Sequence, residues 1–129
     1  MMELYTRRDD EVKIFERHGA DGRLAQIMSK LFGPLGYSPT KTLNERIQQA
    51  RRALDFQYLA FDMLLKGETE QARQYMQRAA ELDPKRAGNR QEIINNIHEV
   101  QKIITASRTD FDRRRVEKYG LKPFEDYLV

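Results

Sequence analysis

Two histidines and a run of arginines are the residues of this 129-residue chain whose types and spacing could do chemistry. His98-Glu99 opens like the zinc-protease helix motif, in which a second histidine four residues after the first shares its face and completes the metal site. Lys102 stands in that place, so the motif fails. His18 follows Glu16 near an expected helix end, where an imidazole meets the free carbonyls of the last turn. Arg108, Arg113, Arg114, Arg115 and Lys118, with Tyr119 nearby, are of the kind that contact phosphates of RNA or DNA while an aromatic ring stacks on a base. The competing reading is a solvated helix face with Asp110/Arg114 and Asp112/Arg115 pairs across one turn.

Other catalytic constellations are absent from the sequence. There are no cysteines, which excludes a disulfide framework, a thiolate metal site and a cysteine nucleophile. Gly19, Gly22, Gly33 and Gly36 are scattered and lack the Lys-Ser/Thr ending of a phosphate loop. No serine sits in a nucleophile-elbow context. Asp110 and Asp112 flank Phe111, so on a helix they do not share a face. The expectation is a protein that is not an enzyme, with no catalytic residue, metal or cofactor.

Composition narrows the class further. The chain is 40% hydrophobic and 33% charged, with a formal net charge of +3. Residues 1–40 carry 6 basic and 6 acidic side chains, residues 41–84 carry 7 and 7, and residues 85–129 carry 10 and 7. The surplus therefore sits beside Arg113-Arg114-Arg115, which is a weaker basic face than a dedicated nucleic-acid binder shows. No apolar run approaches the roughly 20 residues of a membrane helix. The first residues lack a basic-then-apolar secretory signal, so a cytoplasmic location, or a place within a large assembly such as a virion, is expected.

The elements that must position these residues read as helix after helix. Thr6 and Asp9 start a short helix that His18-Gly19 ends. Asp21 caps a second, with Leu24, Ile27, Met28, Leu31 and Phe32 on one face, stopped by Gly33-Pro34. Residues 33–40 form a turn-rich linker. Thr42 and Glu45 make a capping-box pattern for a third helix running to about Lys66, where Gly67 stops it. A fourth runs from Glu68 to about Leu82, ahead of Pro84. Asn89 and Glu92 repeat the capping pattern for a long last helix, continuous to Tyr119 or broken near Ser107.

Two apolar stripes step by four and three, the spacing of helices crossing at shallow angles. One is Leu43, Ile47, Ala50, Leu54, Gln57, Phe61, Leu64. The other is Ile93, Ile97, Val100, Ile104, Ser107, Phe111. The third helix gains a second stripe at Ala53, Phe56, Ala60 and Met63, which makes it a helix sandwiched between neighbours.

Residues 53–86 resemble a tetratricopeptide repeat, a 34-residue helix–turn–helix unit. Phe56, Leu59, Ala60, Gly67, Ala72, Ala79 and Pro84 carry the resemblance. Met63, Thr69 and Met76 depart from the aromatic residues usual at their positions. No second copy occurs in register on either side. A three-helix hairpin of the microtubule-interacting-and-transport type has a similar pattern, and any tight antiparallel hairpin selects small residues at the same places. The resemblance implies peptide or protein binding on the inner face of the first helix. Here that face is Leu54, Gln57, Phe61, Leu64 and Leu65, an apolar surface for an amphipathic helix or for the chain's own last helix.

The expected architecture is an all-α bundle built on one repeat-like hairpin with a long C-terminal capping helix. It divides into an N-terminal helical segment (1–36), a three-helix core (37–120) and an apolar tail (121–129). Phe124, Tyr127, Leu128 and Val129 of the tail either fold back on the bundle or dock on another subunit. The expected function is non-catalytic protein–protein interaction, as a small adaptor or a structural subunit of a larger assembly, with homo-oligomers included among the partners. The alternative is nucleic-acid binding through the basic C-terminal helix. No membrane partner is expected.

Overall fold

The computed structural model describes residues 11–32 and 39–128, with Tyr127 described by its backbone alone. These residues form α1 (11–17), α2 (Gly22–Phe32), α3 (Leu43–Gln49), α4 (Ala53–Leu65) and α5 (Thr69–Leu82), then a 3-10 turn at Pro84–Arg86, α6 (Ala87–Asn95), α7 (Ile97–Glu117) and α8 (Phe124–Tyr127). No strand occurs among them, and the chain is an all-α helical bundle. No helix among the described residues is long and apolar enough to cross a membrane. The Thr6–Asp9 helix start and linker residues 33–38 lie outside the described residues.

Local chemistry explains most of the helix ends. The Asp21 carboxylate accepts from the Leu24 N–H at 2.8 Å and starts α2. Thr42 and Glu45 close the capping box of α3, with Glu45 N–H donating to Thr42 Oγ1 at 3.2 Å. Gly67 adopts a φ of +78° after α4, a conformation in which any Cβ is strained. The chain then reverses and α5 packs back along α4. Ala60, Ala72 and Ala79 are fully buried in that hairpin, where small side chains let the helices approach.

Two helices expected to be continuous are each split. The helix expected over 42–66 breaks at Ala50–Arg52, which is extended. The Asp55 carboxylate accepts from the Arg51 and Arg52 N–H groups at 3.1 and 3.0 Å and restarts the chain as α4. Those backbone donors, led by Arg52, hold the Asp55 carboxyl below its usual range. The break rotates the apolar stripe, so Ile47 and Leu54 point to solvent. The last helix breaks at Asn96, whose side-chain amide donates to the Glu92 carbonyl at 2.8 Å. It does not break at Ser107, which is buried within α7. Asn89 caps no helix, since α6 already begins at Ala87, and Glu92 instead pairs with Arg23 of α2 at 2.7 Å.

α4 occupies the centre, packed against α2, α3, α5 and α7. Every residue from Leu59 to Leu65 is buried, so this helix is apolar on all sides but one. The exception is Asp62, fully buried and paired with Arg46 of α3. Phe61 stacks on Phe32 of α2 at 5.0 Å between centroids and meets the edge of Phe124 of α8 at 6.1 Å. The stripe Ile93, Ile97, Val100, Ile104, Ser107, Phe111 is buried throughout. One apolar core runs from Ile14 to Leu128, so the described parts of the segments 1–36, 37–120 and 121–129 share an interior.

Candidate functional site

A cationic cleft lies between α1 and α7. The two helices are joined by apolar contact, with the Phe15 and Phe111 rings 4.9 Å apart and both buried. With Phe15 turned inward, Lys13 and Arg17, one helical turn apart, stand exposed on the outer side of α1. On α7, Asp110, Arg113, Arg114 and Lys118 follow at intervals of three, one and four, which places them along one face. Together with Ile14 these residues line a cleft of about 340 Å³. Among the described residues, five cations thus surround one carboxylate.

That carboxylate is already occupied. His18 Nε2–H donates to Asp110 Oδ2 at 2.6 Å, across 92 positions of sequence, and Arg17 approaches the same oxygen at 3.9 Å. The His18 hydrogen bond, with Arg17 and Arg113 adding their charge, holds the Asp110 carboxyl below its usual range against a smaller effect of burial. His18 therefore serves a side chain of another helix, not the carbonyl end of its own as expected. The expected Asp110/Arg114 and Asp112/Arg115 pairs are replaced too, because both aspartates have other partners. Asp112 accepts from the Phe124 N–H at 2.8 Å and starts α8.

The arginine run divides in two. Arg113 is exposed, and Arg114 donates to the Tyr119 hydroxyl at 3.1 Å, with the Lys118 ammonium 5.9 Å from the Tyr119 ring centre. Arg115 points inward and is 1% exposed. Its Nε donates to the Lys122 carbonyl at 3.0 Å and its guanidinium lies 4.7 Å from the centre of the Phe124 ring. Arg108 donates to the Leu65 carbonyl at the end of α4 at 2.6 Å. Arg108 and Arg115 are thus parts of the fold, and the phosphate-contacting set expected on α7 shrinks to Arg113, Arg114 and Lys118. Lys13 and Arg17 joined them from a helix 100 residues away, a juxtaposition no local spacing signals. Arg115→Ala should cost about 1–3 kcal/mol through the lost carbonyl and ring contacts. It should also raise hydrogen exchange across 121–128 before the rest of the chain, read by mass spectrometry.

The face of the α4–α5 hairpin expected to dock a partner is closed. Gln57, Phe61, Leu64 and Leu65 are buried, and of the expected docking face Leu54 alone is exposed. Gln57 donates to the Leu31 carbonyl at 2.7 Å and accepts from the buried Arg90 at 2.9 Å, so it ties α2 to α6. Gln101 of α7 donates to the Leu64 carbonyl at 2.8 Å. In the tail, Phe124 and Leu128 fold back and are buried. The Tyr127 side chain and Val129 lie outside the described residues.

A second cleft, of about 390 Å³, is lined by Lys41, Arg46, Arg51, Arg52, Asp55 and Tyr58 among others. Two of its cations have carboxylate partners, Arg46 with Asp62 and Arg52 with Asp55. His98 accepts from Arg73 at 3.3 Å. Among the described residues no three acidic or imidazole groups converge to hold a metal ion. No family model matches this chain, and neither does a curated protein or a solved structure.

Proposed function

We propose that the chain is a non-catalytic binding protein, a small helical adaptor or a structural subunit of a larger assembly, that meets its partner at the α1/α7 cleft. The carrying observation is the concave face on which Lys13, Arg17, Arg113, Arg114 and Lys118 converge around an aspartate already bonded to His18. Such a face concentrates positive potential where an anionic partner surface arrives. Three polar side chains of catalytic type, His18, His98 and Asp62, have partners on other helices. His18 binds Asp110, His98 binds Arg73 and Asp62 is sealed in the core with Arg46. In this reading the α4–α5 hairpin is a single tetratricopeptide-like unit whose inner face is covered by α2, α7 and α8. The partner surface has accordingly moved from that inner face to the α1/α7 edge.

The same cations favour nucleic acid as the second reading, with phosphates seated on Arg113 and Arg17. Native purification at low salt separates the two. A protein chain recovered in fixed stoichiometry is the expected result. Recovery of nucleic acid that nuclease removes, with no protein chain, would establish the second reading in its place.

A further inference from the structure

We propose that the occupant of the α1/α7 cleft is a second copy of this chain, which seats its Glu125 and Asp126 carboxylates on Lys13 and Arg113. This rests on the protein-binding function proposed above and names the partner. The described surface carries both halves of such a contact. Lys13 and Arg113 are exposed, line the cleft from its two helices, and form no ion pair with a described residue. Glu125 and Asp126 of α8 are exposed and likewise form none. They are the one pair of adjacent acids among the described residues. Other exposed acids either stand singly or have a cation of their own helix, as Glu70 has Arg73 and Glu81 has Arg78.

The acid pair is fixed in place, and on another side of α7 from the cations. The Phe124 N–H donates to Asp112 at 2.8 Å, Arg115 Nε donates to the Lys122 carbonyl at 3.0 Å, and the Phe124 ring is buried against Phe61. Burial of Phe124 leaves the next two residues of the short helix outward. At 3.6 residues per turn, Asp112 and Arg115 lie roughly 160° around α7 from Asp110 and Arg113. The acids and the cations are therefore held apart by the helix that anchors both, and do not neutralise one another within one chain. A second copy brings them together, with opposite potentials steering the encounter. The two halves differ, so the contact is head-to-tail. A copy whose cleft is filled still offers its own acid pair, which leads to a ring or an open filament. That outcome suits a structural subunit.

Analytical ultracentrifugation of the purified chain at low salt and rising concentration tests this. The mean mass should climb past that of a dimer. Lys13→Glu/Arg113→Glu should weaken self-association about tenfold or more, Glu125→Lys/Asp126→Lys should do the same, and so should raised salt. The chain that carries both pairs of reversals should regain self-association, because the swapped charges are again complementary. All four side chains are exposed, so the variants should keep the parent helical circular dichroism and melting. A chain that stays monomeric, a closed dimer that grows no further, association indifferent to either reversal, or failure of the swap to restore it each overturns the assignment. If the purified chain stays monomeric while a different protein chain copurifies natively and is lost on Lys13→Glu/Arg113→Glu, the second copy is wrong and the binding function stands. If no protein chain copurifies either, both fall.

Discussion

Arg46→Met should cost about 2–3 kcal/mol more at pH 8 than at pH 5, where the cost should be less than about 1 kcal/mol. The reason is the carboxyl that Arg46 faces. Burial pushes Asp62 up to about 6, while the Arg46 guanidinium pulls in the opposite direction and does not fully compensate. An acid whose folded pKa exceeds its unfolded value binds more protons when folded. Stability therefore falls as pH rises from about 4 to about 6, and levels off above, by roughly 3 kcal/mol for a shift of this size. At pH 8 Asp62 is ionised in the parent, and removing Arg46 takes away its main counter-ion, so the carboxyl either stays charged without it or takes up a proton at a cost in free energy. At pH 5 Asp62 is mostly protonated in parent and variant alike, so the pair has little charge to lose. Methionine retains most of the apolar stem that Arg46 buries, which keeps packing out of the comparison. Urea unfolding at the two pH values measures it. Asp62→Asn should abolish the decline between pH 4 and 6 and rescue Arg46→Met at pH 8. An equal loss at both pH values would refute the role given to Asp62 ionisation.

Phe61→Ala should cost about 3–5 kcal/mol, the loss expected for a fully buried aromatic at a site that cannot collapse. Phe61 is 3% exposed and touches Phe32 of α2 and Phe124 of α8, so its ring fills the point where α2 and α8 meet the central helix. The loss should appear as one cooperative transition, with far-ultraviolet circular dichroism and tyrosine fluorescence coincident. Separate transitions for the N-terminal helices or the tail would show that they do not share the core with α4. The residue was also expected on a ligand face, and its burial means that a charged substitution there reports on folding before it reports on any partner.

The parts of the fold legible in the sequence were those written in neighbouring residues. Thr42 and Glu45, Asp21, Gly67 and Pro84 mark helix ends through interactions within a few positions, and each does so in the structure. The buried stripe from Ile93 to Phe111 needs only helical periodicity, which a bend at Asn96 does not disturb. The break at Ala50–Arg52 was hidden because Leu54, Gln57 and Phe61 continue the four-and-three spacing across it. Asp55 gave the one local signal, as an acid three residues into a new helix. Arginine 115 looked solvated because it stands in a run of three. Only the tail returning at Lys122 and Phe124 makes its burial favourable. The cleft was least legible of all. Its two halves are α1 and α7, and their closure depends on Phe15 against Phe111 and His18 against Asp110, both long-range contacts.

The central claim is that this chain binds a protein partner through the α1/α7 cleft. The most direct measurement is native mass spectrometry of the complex isolated at low salt, comparing the parent with Arg17→Glu/Arg113→Glu. The partner chain present in fixed stoichiometry on the parent should be lost from the variant, with helical content unchanged. A partner retained at full stoichiometry on the charge-reversed chain would contradict it.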